Sequence, residues 1–336
     1  MSSAPTSEQI ARDATWLLQA LDPAARAVRL IAMNAADYRA ASFLDDRMMQ
    51  GPVDAHVMQW SEVGSAIPPE ARRDARWIFH IGHVGSTLVA RLLGEIAGVL
   101  SVREPRFLRD VTVLPSGERP AFTDAAATFY SRTFSPDEVA LVKATSFVSE
   151  LAAELVPAGE RALMMYASPR NYIASILAGE NSVRELRMLA PLRAERLGSR
   201  VAISVTPRND AELAALAWAC EMTSLEAAAQ AMPDREVGWA DFDEMLGNMP
   251  AELSRVAGLL SLPVRETEIG AIADGPLMSR YSKALEYDYS AQLRQDLIAE
   301  ALEAHGREIG EALAMLRRQG ETSPLLKRAL DRAGEN

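Results

Sequence analysis

The stretch WIFHIGHVGSTLVARLLGEI, residues 77–96, joins an apolar run to a glycine turn and then to a helical period. Trp77 to Ile81 is apolar apart from His80, and a short continuous run of this kind predicts a strand covered on both faces. Leu88, Leu92, Leu93 and Ile96 fall on one helical stripe, which predicts a helix starting near Thr87. The turn Gly82-His83-Val84-Gly85-Ser86-Thr87 therefore lies where the C-terminal end of a strand meets a helix N-terminus. Unpaired N–H groups and the positive end of the helix dipole meet there, so an anion is stabilised. Gly82 and Gly85 allow the backbone to approach a phosphate, and Ser86 and Thr87 add hydroxyl donors. A plain strand-to-helix turn with a serine cap is the alternative reading, and the short glycine motif alone does not choose between the two.

Outward from this segment, four further apolar runs alternate with helical periods: Val99 to Val102, Val139 to Val142, Ala162 to Tyr166, and Val237 to Trp239. Helices are expected near Phe147 and Pro169, and a long one from Asp210 to Met232. Such alternation predicts an α/β fold with a central parallel sheet between helical layers. Residues 1–75 read as a helical N-terminal extension. Thr6 with Gln9 makes a capping box, Trp16, Leu17, Leu18 and Leu21 group as on a helix, and Asp22-Pro23 reads as an N-cap followed by proline at the first helical position. Residues 76–265 form the α/β domain. Residues 266–336 read as a C-terminal helical segment on the same domain, with Ser290 as an N-cap.

The 336 residues carry Lys+Arg 35 against Asp+Glu 46, a net charge of −11, with 49% hydrophobic and 24% charged residues. That composition is of the globular, not the disordered, class. The acidic balance disfavours broad electrostatic binding to nucleic acid or anionic membrane. One cysteine, Cys220, excludes an internal disulfide framework, and no Cys/His/Asp spacing resembles a metal site. The longest stretch without Asp, Glu, Lys or Arg runs from Trp77 to Ala90, shorter than the about 20 residues of a membrane span. The first residues lack a basic-apolar-small order, so the expected compartment is the cytoplasm. No Lys precedes Ser86, so the turn is not the nucleoside-triphosphate loop G-x-x-x-x-G-K-[ST].

The sequence instead resembles the sulfotransferase branch of the P-loop fold, with its nearest motif echo in the tyrosyl-protein enzymes. That family's 5′-phosphosulfate loop reads like P-[KR]-x-G-[ST]-[ST], and Gly85-Ser86-Thr87 match its core. "SVREPRFLR" (101–109) looks like the segment whose Glu is the catalytic base, which falls on Glu104. "LVKATSF" (141–147) is similar to the strand end bearing a catalytic Lys, which falls on Lys143. "YASPRNYIASI" (166–176) looks like the 3′-phosphate segment, whose serine falls on Ser175. "VGWADFDEML" (237–246) resembles the late strand with its acidic turn. The resemblance spans roughly residues 77–262. It departs at His83, where the family has Lys or Arg, and at Ala167, where it has an Arg for the 3′ phosphate. Arg170 is the substitute the sequence offers there, and Arg280 and Lys283 in "MSRYSKAL" are the candidates for the family's C-terminal nucleotide loop.

The resemblance implies transfer of a sulfuryl group from 3′-phosphoadenosine-5′-phosphosulfate (PAPS) to a hydroxyl acceptor, without a metal. Glu104, Lys143 and His83 would be the catalytic residues. Gly82, His83, Val84, Gly85, Ser86, Thr87, Arg170, Ser175, Arg280 and Lys283 would hold the donor. The chemistry asks for positioning and for charge stabilisation on the leaving side. The competing readings are a P-loop kinase using ATP, and a catalytically weak nucleotide-binding module. Each residue also has a structural reading: Glu104 paired with Arg103, Arg106 or Arg109, Ser168 as a helix cap, Ser175 bonded back to its own helix, and His80 as a satisfied core histidine. Finally, Arg184, Arg187, Arg193, Arg196, Arg200 and Arg208 face only Glu185 and Glu195 in their stretch. This is either a solvated helix face or a basic lid over an anionic substrate.

Overall fold

In the computed structural model, which describes residues 4–68, 70–203, 205–279 and 290–335, the N-terminal segment departs from the expected helices. The Thr6/Gln9 capping box is present on the helix Ser7–Arg12. Beyond it, β1 (Trp16–Asp22), β2 (Ala27–Ala32) and β3 (Ala55–Gln59) form an antiparallel sheet in that order. The reason is twofold. Six consecutive residues of β1 are buried, so the strand carries no polar face and its apolar run shows no period of two. Asp22 does accept backbone amides, but from Ala24 and Ala25 at 3.0 Å each, which closes a hairpin turn instead of opening a helix. Asn34 and Asp45 cap the short helical turns that follow, and the sheet lies on the helices Arg106–Val111 and Arg119–Phe129. Tyr130 OH donates to Leu18 O (2.6 Å) and Leu21 N to Asp110 Oδ2 (2.9 Å) across that contact.

The α/β class with a central parallel sheet is what the structure contains. β4 (Arg76–His80), β5 (Val99–Arg103), β6 (Val139–Lys143), β7 (Arg161–Tyr166) and β8 (Glu236–Asp241) run parallel in the order β5-β6-β4-β7-β8. Their apolar composition follows from cover on both faces. β4 is central; the chain leaves it for β5 and β6 on one side and then crosses to β7 and β8 on the other, which makes the C-terminal edge beside β4 a place where ligands bind in open α/β sheets.

Helix α1 (Ser86–Leu93) follows β4 directly and is buried along its whole length. Helix α2 (Pro169–Leu177) follows β7, with Ser168 capping it through Asn171 N at 3.2 Å. Helices α3 (Glu180–Arg200) and α4 (Asp210–Gln230) come next, and α5 (Ala291–Thr322) and α6 (Pro324–Arg332) end the fold. α4 packs against α2, α3, α5 and α6 together, which is why its sequence is alanine-rich on nearly every side. Near Phe147 the expected helix is a 3-10 turn, Ser146–Leu151, followed by one α-helical turn. Among the described residues no helix is long and apolar enough to cross a membrane, and no cluster of His, Cys, Asp or Glu is arranged to hold a metal.

Candidate functional site

The turn after β4 is built by three left-handed residues, Gly82 (φ 77°), His83 (φ 54°) and Gly85 (φ 58°). Gly85 is required twice over. Besides its φ, a Cβ there would stand 1.9 Å from Cζ of Phe242, whose ring lies against the loop from the end of β8. Gly82 is held by its N–H, which donates to His80 Nδ1 at 2.9 Å, while His80 Nε2 bonds the Ala144 carbonyl at 2.9 Å. A ring that accepts at Nδ1 and donates at Nε2 is neutral, so His80 is the satisfied core histidine of the sequence reading.

Gly85 caps α1 by backbone alone, with no side chain on the first amides. The first N–H groups of a helix have no partner within it. Among the described residues no acceptor takes the amides of Val84, Gly85, Ser86, Thr87 or Leu88. Val84, Ser86 and Thr87 are nonetheless almost fully buried. Buried donors are paired in folded proteins with few exceptions, so a run of unpaired ones at a helix N-terminus marks a place shaped for an anion.

Glu104 and Lys143 meet beside this turn. They lie at the ends of the neighbouring strands β5 and β6, where the register pairs Arg103 with Lys143. Glu104 itself sits in the left-handed region (φ 53°), its N–H donating to Lys143 O at 2.7 Å. The Lys143 side chain is 1% exposed; its Nζ donates to Glu104 Oε1 and, at 3.2 Å, to Thr87 Oγ1 on α1. The ammonium thus stands between the loop and the carboxylate. Glu104 Oε2 faces Arg47 at 3.4 Å, and Arg47 also grips Asp45 and lies 3.2 Å above the Phe43 ring. Arg103, Arg106 and Arg109 are therefore not the partners of Glu104. Arg103 is buried on the carbonyls of Tyr38, Arg39 and Ala41, with burial and then nearby Arg91 lowering its pKa to about 9. Arg106 pairs with Asp46 and Asp110. Arg109 is exposed.

The opposite flank, around β7 and α2, is closed. Ala167 has no exposed surface, and its carbonyl accepts from Trp218 Nε1 at 3.0 Å. Ser175 Oγ donates to Tyr172 O at 2.8 Å, the back-bonded geometry. Arg170 is exposed on the first turn of α2. Tyr172 meets His83 edge-on, with ring centroids 6.2 Å apart; burial pushes its phenol pKa up, and its hydroxyl is buried without a hydrogen-bond partner among the described residues. Arg280 and Lys283 lie outside the described residues.

The arginine-rich stretch is matched by acids that its own window does not contain. Arg187 pairs with Asp210, Arg193 with Glu221, Arg196 and Arg200 with Glu150, and Arg208 with Glu212 and Glu311. Glu212 and Glu221 are buried on α4. Five of the six guanidinium groups thus have carboxylates within the fold, which leaves little free charge for the basic-lid alternative: the stretch is fastened to its neighbours.

Sequence reasoning did not find Arg47 and Phe43, which come from the N-terminal sheet segment, or Arg294 on the first turn of α5. Arg294 bonds Asp243 Oδ1 (3.1 and 3.2 Å) and reaches the His83 carbonyl at 3.4 Å, while Asn171 Nδ2 donates to Asp243 Oδ2 at 2.9 Å. The acidic turn after β8 was the only signal for this cluster. Asp241, also in that turn, accepts the Asp243 amide at 2.8 Å, yet burial raises its pKa to about 6.

No protein-family model matches the chain, and no curated protein does. Among solved structures it is similar to the sulfotransferase domain from the curacin biosynthetic pathway, with 13% identity and a TM-score of 0.43 over 69% of this chain and 91% of that one. It is similar to mouse sulfotransferase SULT7A1 complexed with PAP, with 12% identity and a TM-score of 0.43 over 78% and 89% of the two chains. A third is the sulfotransferase domain of the Synechococcus PCC 7002 olefin synthase, with 11% identity and a TM-score of 0.40 over 70% and 89%. These three solved structures carry sulfotransferase names.

Proposed function

We propose that the chain is a sulfotransferase that takes PAPS as donor and a hydroxyl group as acceptor. The observation that carries this reading is the run of amides from Val84 to Leu88 with no acceptor among the described residues, with the Lys143 ammonium between Thr87 and Glu104. The loop amides and the α1 dipole bind the 5′ phosphate. The acceptor oxygen attacks sulfur as its proton passes to Glu104. The S–O bond to the phosphate breaks, and its electron pair stays on the phosphate oxygen. Lys143 releases Glu104 as it turns toward that oxygen, so one residue both frees the base and stabilises the leaving charge. His83 adds a hydrogen bond from the loop. The described residues favour the 5′ side of this reading; Ser175 and Arg170 would contribute little on the 3′ side, since the first is bonded to its own helix and the second faces solvent.

Calorimetry with adenosine 3′,5′-bisphosphate (PAP) in the absence of Mg²⁺ tests the proposal. Binding in the micromolar range is expected. Preferential, Mg²⁺-dependent binding of ATP would replace it with the kinase reading. Glu104→Gln should keep PAP binding and lose turnover; a chain that never turned over would be a binding module.

A further inference from the structure

Thr145 lies two residues beyond Lys143, its backbone extended (φ −75°, ψ 158°) and Ala144 N still bonded to Ile78 O at 3.0 Å, so strand alternation carried past the end of β6 turns Thr145 to the side of Lys143. It occupies the N-cap position of the turn Ser146–Leu151. A threonine there ordinarily accepts an amide of the first turn. This one makes no cap bond, and its Oγ1 is buried with no hydrogen-bond partner among the described residues. The backbone around it is well served: Ala144 N donates to Ile78 O at 3.0 Å, and Thr145 O accepts Val148 N at 3.0 Å. The same turn touches the loop, since the Ser146 hydroxyl is 4.0 Å from where a Gly82 side chain would begin.

We propose that the Thr145 hydroxyl binds the sulfuryl group of the donor. The inference rests on the function proposed above. With the 5′ phosphate on the loop amides, the group beyond it points toward Glu104. By that alternation Lys143, at the end of β6, and Thr145, two residues past it, face that space. Lys143 answers the bridging oxygen, and Thr145 donates a hydrogen bond to a sulfuryl oxygen. No bond to Thr145 forms or breaks. A buried hydroxyl without a partner weakens the free protein and is filled only when that oxygen arrives.

PAP, which lacks the sulfuryl group, separates this role from a structural one. Binding of PAP and of PAPS to the wild type, Thr145→Val and Thr145→Ser should be measured together with thermal unfolding of each. Thr145→Val should bind PAP within twofold of the wild type, bind PAPS about three- to tenfold more weakly, and melt no lower than the wild type. Thr145→Ser should retain the preference for PAPS. A valine variant that binds PAPS as tightly as the wild type would overturn the proposal. So would one that loses both nucleotides alike and melts lower, since that pattern belongs to packing. A wild type that binds neither nucleotide would overturn the donor reading beneath it, an outcome distinct from the other two.

Discussion

The two flanks of the glycine turn dispose of their polar groups in opposite ways. On the β7 flank they are spent within the fold: Ser168 caps α2, Ser175 bonds back to Tyr172, and the Ala167 carbonyl takes the Trp218 indole, leaving the Tyr172 hydroxyl as the exception. On the β6 flank, among the described residues, they stay open or are held by exchangeable partners: five loop amides, the Thr145 hydroxyl, and an ammonium shared between Thr87 and Glu104. The family pattern marked both flanks alike. Hydrogen-bond accounting separates them, because a group already satisfied gains little from a ligand, whereas an unpaired buried donor gains a full bond.

The largest effect is expected at the turn itself. Gly85→Ala meets both a left-handed φ and the Phe242 ring, and should cost about 2–4 kcal/mol in urea unfolding. Gly82→Ala has the same φ problem but open space around it, so about 1 kcal/mol is expected. Equal losses at the two positions would mean that close approach of Phe242 does not shape the loop. Next comes Lys143→Met, which leaves Glu104 little exposed and without its ammonium. A loss of about 2–3 kcal/mol is expected, Arg47 remaining as a weaker partner. Adding Glu104→Gln should recover at least half of it, and strictly additive losses in that double-mutant cycle would show the pair to be uncoupled.

Asp241 gives a smaller, pH-dependent signal. Its carboxyl is raised from an ordinary 3.8 to about 6, so the folded chain holds this proton more tightly than the unfolded one. The stability it contributes is therefore full below about pH 4 and lost as pH rises through 6. Asp241→Asn keeps the oxygen that accepts the Asp243 amide and should flatten the stability profile over that window. Because the group is partly exposed, the change is expected at about 1 kcal/mol, less than the full shift would give. A profile as steep as the wild type's would place the titration elsewhere. Smallest of all is Ser175→Ala, which should alter PAP affinity less than twofold. A tenfold loss would break the contrast between the flanks.

The sequence carried the central sheet and its loop because buried parallel strands announce themselves as unbroken apolar runs, with glycine at the turn between Ile81 and Ser86. It did not carry the N-terminal sheet. Trp16–Leu21 is buried on both faces, so neither periodicity applies, and the Asp22-Pro23 signal serves a hairpin turn as well as a helix start. Glu104 and Lys143 were legible only through their motif context, and their meeting follows from the β5–β6 register. Arg47 and Arg294 had no local signal, since each reaches the site across long stretches of chain. The excess of arginine between Arg184 and Arg208 could not be interpreted for the same reason: the acids that answer it lie at positions 150, 210, 212, 221 and 311.

Arg103 makes the N-terminal sheet segment indispensable to the strand that bears Glu104. Its guanidinium is interior, and its protons go to main-chain oxygens at residues 38, 39 and 41. A shortened chain starting at Arg76 would strip that cation of its cage and lay bare the hinge on which the carboxylate is mounted. The first seventy-odd residues are thus a bracket for the candidate site, and trimming them to obtain a minimal α/β domain would discard part of what holds Glu104 in place.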